Sequence, residues 1–319
     1  MDKKDLKIVF LGTPEFAVCS LSRLLDEGFR IEAVVTAPDK PAGRGHKMLQ
    51  SDVKKFALER GLPILQPRNL KDPEFIESLK AIDADLFIVI AFRMLPEAVW
   101  QMPRLGCFNL HASLLPRYRG AAPINRAVMN GDTETGVTTF FLKHEIDTGD
   151  IIRQERITIG PDENVGSVHD RLMTLGAEMT FKTVAEICEG SLQTRPQPEG
   201  DFIAAPKIFR PDCEIDWNAG SRRIHDHVRG LSPYPAARTT LVSTDGKQTE
   251  AKVFETKMLE DGFGGGVPGE IIPDKRRLLV RTADGALEIM SLQPAGKKRM
   301  DASAFLLGYS PARCEKSVL

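Results

Sequence analysis

Residues Asp85-Leu86-Phe87-Ile88-Val89-Ile90-Ala91 hold six consecutive apolar side chains after a single acid. A strand with one wet face alternates polar and apolar residues, whereas a strand covered on both faces does not. The run therefore predicts a central strand of a parallel sheet. Outward from it, Leu6–Leu11 ended by Gly12, Ile31–Val35, Gly106–His111 and Gly136–Lys143 read as further strands. Helical patterns lie between them. Thr13 as N-cap with Pro14 at the first helical position opens one, its stripe being Phe16, Leu21, Leu24 and Leu25, and Gly28 closes it. Ser51 caps a second that stops at Gly61, and Glu163–Glu189 is a long third. Strands alternating with helices predict a doubly wound α/β domain over residues 1–190.

The pattern changes after Gly190. Residues 191–206 contain three prolines and few apolar side chains, as expected of a linker. Across 207–319 a short helix, Ser221–Arg229, precedes β-like runs at Ala236–Val242, Glu250–Thr256, Gly269–Ile272, Leu278–Thr282 and Ala286–Leu292. Short strands punctuated by Gly and Asp predict a small β-barrel.

The chain has 319 residues and a formal net charge of -1, so no global field drives it onto nucleic acid or membrane. From Lys207 onward there are 18 Lys and Arg against 15 acids, an excess too small to identify a partner. Five scattered cysteines without zinc or redox spacing suit reduced thiols. No signal-peptide pattern and no apolar run of membrane length is found, so a cytoplasmic protein is expected.

The chemistry is concentrated in Phe108-Asn109-Leu110-His111-Ala112-Ser113-Leu114-Leu115-Pro116-Arg117-Tyr118-Arg119-Gly120. Asn109 and His111 alternate along a strand and so share a face. An amide that donates to a developing oxyanion, beside an imidazole that moves a proton, is minimum equipment for acyl transfer. The strand ends where open α/β sheets bind ligands. Pro116 and Gly120 then bracket a basic turn along which a ligand can lie. Farther on, Asp147 in His144-Glu145-Ile146-Asp147-Thr148-Gly149-Asp150 either orients His111 or merely bonds its own turn. His144 has no second ligand at metal spacing, so no metal site is expected, and His225-Asp226-His227 on a helix reads as structural.

A third constellation, Ala37-Pro38-Asp39-Lys40-Pro41-Ala42-Gly43-Arg44-Gly45-His46-Lys47, is a long basic loop in which Lys40, Arg44 and Lys47 are placed to meet phosphates. Neither a phosphate-binding P-loop nor a dinucleotide fingerprint is present.

Taken together these motifs resemble the formyltransferase family that uses 10-formyltetrahydrofolate. Asn109, His111 and Asp147 match its catalytic trio, and Ser113-Leu114-Leu115-Pro116 its folate-site segment. Gly12-Thr13-Pro14-Glu15-Phe16-Ala17, the Arg44 loop, Arg229–Ala236 and Leu292–Met300 are similar to the branch whose acceptor is a charged tRNA. The resemblance implies a Rossmann-like catalytic domain followed by an OB-like barrel. It implies transfer of formyl from 10-formyltetrahydrofolate, without a metal, to the α-amino group of methionine on initiator tRNA. It further implies a monomer in which Arg44, Lys40, Lys47, Lys297, Lys298 and Arg299 bind tRNA. An amino-sugar nucleotide is the alternative acceptor.

Overall fold

The computed structural model describes residues 2–42, 47–259 and 265–316. The chain divides into two compact units. One comprises Met1–Gly120, Gly136–Ile157 and Asp170–Ala204, the other Ala121–Thr135, Thr158–His169 and Ala205–Leu319.

The first part of the chain runs β1 (Lys7–Gly12), α1 (Glu15–Asp26), β2 (Arg30–Val35), β3 (Lys40–Ala42), β4 (Lys47–Leu49), α2 (Asp52–Glu59), β5 (Ile64–Leu65), α3 (Pro73–Ile82), β6 (Leu86–Ile90), α4 (Glu97–Trp100), β7 (Cys107–His111) and β8 (Arg117–Gly120). It continues with α5 (Pro123–Met129), β9 (Glu134–Phe141), β10 (Ile151–Thr158), α6 (Val165–Glu189) and β11 (Ile203–Ala205).

Seven strands form a sheet in the order β10-β9-β7-β6-β1-β2-β5. The pairs β1–β2, β1–β6, β6–β7 and β2–β5 are parallel, and β9 returns antiparallel to β7. The chain leaves β1 toward β2 and β5, then comes back to place β6 and β7 on the other side. Strand order thus reverses between β1 and β6, and the carboxyl end of β7, where His111 sits, is one strand away.

Ile8, Val9, Phe10 and Leu11 have no exposed surface, and Leu86–Ile90 are all buried. That double-sided cover is why these strands read as unbroken apolar runs. Val9, Leu11, Phe87 and Val89 pack with Leu79, Phe75 and Val99 in one core cluster. Each such side chain contributes about 1.5–3 kcal/mol on burial.

Most expected elements lie within two residues of their predicted bounds. The start of α1 differs: Pro14, not Thr13, is the N-cap, extended at ψ 174°, with no side-chain cap bond. The Thr13 carbonyl instead accepts from Val53 N at 3.4 Å, which draws this residue out of the helical turn. Helix α3 was not expected from periodicity, although Asp72 caps it through Glu74 N and Pro73 opens it. The segment expected as a linker is partly ordered, with β11 at its end and a backbone bridge between Arg195 and Ile151.

In the C-terminal unit, α7 (Ser221–Leu231) precedes β12 (Ala237–Ser243), β13 (Gln248–Met258), β14 (Ile271–Ile272), β15 (Leu278–Arg281), β16 (Ala286–Pro294), β17 (Met300–Asp301), α8 (Ala302–Leu306) and β18 (Pro311–Glu315). The antiparallel order is β14-β15-β16-β13-β12-β18. A bridge between Glu270 and Arg313, beside Cys314 N donating to Gly269 O at 2.7 Å, brings the two edges together. The result is a nearly closed barrel, which leaves few unpaired edge groups. Its core includes Ile224, Val228, Leu241, Val253, Val280 and Leu287.

Helix α5 packs on α7 where Gly230 has no side chain: a Cβ there would lie 2.7 Å from Met129 N. His225 and His227 have structural surroundings. Burial pushes both imidazoles below their ordinary range, and His225 Nδ1 is 3.0 Å from Thr256 Oγ1. Beside them Arg229 Nε donates to Asp226 Oδ1 at 2.7 Å, and Arg229 Nη1 donates to the carbonyls of Glu163 and Gly160. Both partners are buried. Arg229→Met leaves Asp226 only the looser Arg222 pair at 3.7 Å and strands two carbonyls, and unfolding free energy falls by about 3 kcal/mol, as urea titration reads directly.

Candidate active site

Strand β7 carries the two polar residues of the site. Phe108 and Leu110 face the core, while Asn109 is half-buried and His111 is 6 % exposed. Asn109 sits opposite Val89 of β6 and Phe140 of β9, so its backbone is held from both sides. Its carboxamide makes no hydrogen bond among the described residues, which leaves a rigidly placed donor for an incoming oxygen.

His111 is fixed through one ring nitrogen. Nε2 lies 2.8 Å from the Tyr118 carbonyl oxygen. A carbonyl only accepts, so Nε2 carries its proton and donates. Tyr118 has φ +62°, and that left-handed conformation presents the carbonyl to the ring. Phe140 closes the ring's side in an edge contact at 6.5 Å. The other nitrogen, Nδ1, is the one left for a reactant, and Asp147 Oδ2 is 3.9 Å away. That distance exceeds a hydrogen bond, so the carboxylate acts on the ring through its charge.

Asp147 also has a left-handed backbone, φ +55°, on the turn between β9 and β10. Its Oδ2 accepts from Gly120 N at 2.9 Å. Gln197 donates from Nε2 to the carbonyls of Asp147 (2.7 Å) and Gly149 (2.9 Å). Gly149 is required by a close approach: a Cβ would fall 1.5 Å from the Phe141 carbonyl oxygen.

Segment 113–116 is turned inward. The Ser113 hydroxyl donates to Arg117 O at 2.6 Å, and its carbonyl accepts from Thr138 Oγ1 at 2.7 Å. Thr138 Oγ1 in turn accepts from Leu115 N, and Gln154 Nε2 donates to Leu115 O at 2.8 Å. Ser113, Leu115 and Pro116 are buried, and Leu114 is half-buried. The Ser113 hydroxyl and the Leu115 backbone thus fix the shape of the loop from within.

Of the basic residues, Lys40 is exposed on the β3–β4 hairpin. Arg44 lies outside the described residues, and of Lys47 only the backbone, in β4, is described. Lys297, Lys298 and Arg299 are exposed after β16. Arg299 donates to Ser291 Oγ at 2.8 Å and lies over the Phe254 ring, whereas Lys297 and Lys298 have no ion-pair partner among the described residues.

Sequence reasoning missed Tyr118 O, Gln154 and Gln197, because a carbonyl acceptor and two surface-type amides leave no motif. Among the described residues, no three His, Cys, Asp or Glu side chains cluster to hold a metal. Among the described residues no helix is long and apolar enough to cross a membrane.

A mostly parallel sheet with an amide and an imidazole at the end of β7 is equipped as a group transferase of the acyl type. Residues 6–184 match the formyl transferase family and residues 207–310 its C-terminal domain; the chain belongs to this family. It is 54% identical to the methionyl-tRNA formyltransferase of Bacteroides fragilis, over 97% of both chains. It is similarly 54% identical to that of Parabacteroides distasonis and 48% to that of Porphyromonas gingivalis. Among solved structures it resembles a sugar 3N-formyl transferase, WlaRD, crystallised with dTDP and 5-N-formyl-THF. The TM-score is 0.66 at 20% identity, covering 92% of this chain and 99% of that one. It also resembles HypX of Aquifex aeolicus in complex with tetrahydrofolic acid, with TM-score 0.63 at 19% identity, over 95% of this chain and 47% of that one.

Proposed function

We propose that the protein transfers a formyl group from 10-formyltetrahydrofolate to the α-amino group of methionyl initiator tRNA, giving N-formylmethionyl-tRNA for translation initiation. The observation that carries this reading is the unpartnered Asn109 carboxamide beside His111, in a chain 54% identical over nearly its whole length to methionyl-tRNA formyltransferases. The structural likeness to sugar formyltransferases is near 20% identity, so it speaks for the fold and not for an amino-sugar nucleotide acceptor.

The residues present fit the formyl donor: one fixed amide donor, one imidazole nitrogen free of protein bonds, and a loop shaped from within. As the amine attacks the formyl carbon, negative charge grows on the formyl oxygen. Asn109 Nδ2 donates to that oxygen. His111 Nδ1 takes the amine's proton, since Nε2 is committed to Tyr118 O. Asp147 balances the imidazolium so formed and holds the ring's orientation. The proton then passes to the departing folate nitrogen, so that one C–N bond forms and one breaks.

Segment Ser113-Leu114-Leu115-Pro116 supports the folate through its fixed shape rather than through the Ser113 hydroxyl, which is engaged internally. Arg44, Lys40 and Lys47 in the first unit, and Lys297, Lys298 and Arg299 in the second, meet tRNA phosphates. The protein acts as a cytoplasmic monomer.

The deciding experiment measures acid-stable formyl incorporation from 10-formyltetrahydrofolate into methionyl initiator tRNA, beside free methionine and an amino-sugar nucleotide. Formylation of the charged tRNA alone is expected; preferential formylation of the sugar overturns the acceptor. In the same assay, Lys297→Ala with Lys298→Ala raises KM for tRNA about tenfold and leaves KM for folate in place. The salt dependence of tRNA binding flattens by about one log–log unit per lysine. Equal loss toward both substrates would point instead to a damaged barrel.

A further inference from the structure

Segment 195–198 looks in sequence like a featureless, proline-rich linker. In the structure Arg195, Pro196 and Pro198 are exposed, and Gln197 between them is half-buried. Its amide uses its full bonding capacity. Both N–H groups go to carbonyls of the catalytic turn, Asp147 O at 2.7 Å and Gly149 O at 2.9 Å. The Oε1 atom accepts from Arg119 Nη2 at 2.6 Å and from Nε at 3.2 Å. Arg119 follows Tyr118, whose carbonyl holds His111, and precedes Gly120, whose N–H holds the Asp147 carboxylate. One glutamine therefore bridges the two strands of chain that fix the imidazole and the carboxylate.

The segment is itself anchored. Arg195 and Ile151 exchange backbone hydrogen bonds of 2.7 and 2.9 Å, at the start of β10 just past the turn. The Asp147 backbone is left-handed, a conformation that costs a non-glycine residue on the order of 1 kcal/mol and persists only when its surroundings hold it. The two Gln197 donors brace it from the carbonyl side, as Gly120 N does from the carboxylate side.

We propose that Gln197 is a positioning residue for formyl transfer, fixing the turn that aims Asp147 at His111. The proposal rests on the reading of the site given above. Only a glutamine-like amide serves. A glutamate keeps the Arg119 partner but sets a carboxylate oxygen against two carbonyls, and a methionine fills the space with neither donor nor acceptor.

The test compares Gln197→Glu and Gln197→Met with the wild type, using Glu199→Ala on the same segment as a control. Formyl transfer to methionyl-tRNA and the ring ¹⁵N signals of His111, assigned through their loss in His111→Gln, are both recorded. Both Gln197 variants are expected to lose about 10- to 100-fold in kcat with KM for the formyl donor unchanged, as a displaced catalytic group does. Their His111 ring signals shift, while Glu199→Ala matches the wild type. Unchanged kcat and unchanged ring signals overturn the proposal. So does a Gln197→Glu variant as active as the wild type, because the Arg119 contact alone would then suffice. If the wild type formylates no acceptor, the functional reading fails, and the ring signals still decide whether Gln197 positions the pair.

Discussion

Asn109→Ala cuts kcat about 100- to 1000-fold and leaves the unfolding midpoint in place. The size follows from the role: a donor aimed at the developing oxyanion acts where charge appears only in the transition state, so its loss falls on turnover more than on substrate affinity. The absence of a stability change follows from the surroundings. The Asn109 carboxamide bonds to nothing among the described residues, so truncation orphans no buried partner. Asn109→Asp is the sharper control, because it keeps the shape and sets a negative charge where negative charge develops. Steady-state formylation with melting curves checks both variants. An Asn109→Ala enzyme with near wild-type turnover removes the oxyanion donor from the mechanism.

His111→Ala loses a comparable factor, roughly 100- to 10,000-fold, as expected of a general base. Here stability also falls, because the ring is buried and its Nε2 donates to Tyr118 O at 2.8 Å. Leaving that carbonyl unpaired costs about 1–3 kcal/mol. His111→Gln separates the two effects: the amide can still donate to Tyr118 O but takes no proton, so stability recovers while turnover stays low. Asp147→Asn lowers turnover and leaves Gly120 N an acceptor through the amide oxygen. Comparing kcat with chemical denaturation for the three variants separates the proton-transfer role from packing. A His111→Gln enzyme with wild-type turnover would exclude Nδ1 as the base.

The core strands were legible because burial on both faces leaves a long apolar run, as at Ile8–Leu11 and Leu86–Ile90. Asn109 and His111 were legible because strand periodicity puts alternate residues on one face. The start of α1 was misplaced by one residue because Thr13 gives its carbonyl to Val53 N, a contact between segments 40 residues apart that no local propensity reports. The inward turn of Ser113 was illegible for the same reason, since Thr138 and Arg117 O fix it from other elements.

What the sequence alone determined is the two-part architecture, the family, and the trio Asn109, His111 and Asp147 as the residues to examine. These depend on periodicity and on local motifs, which are properties of neighbouring residues. What only the tertiary structure decided is which imidazole nitrogen is bonded to the protein, which one stands near Asp147, and that Gln197 bonds the carbonyls of the Asp147 turn. Those depend on carbonyls of left-handed residues and on hydrogen bonds that span 7 to 50 positions, and such contacts exist only after the chain has folded.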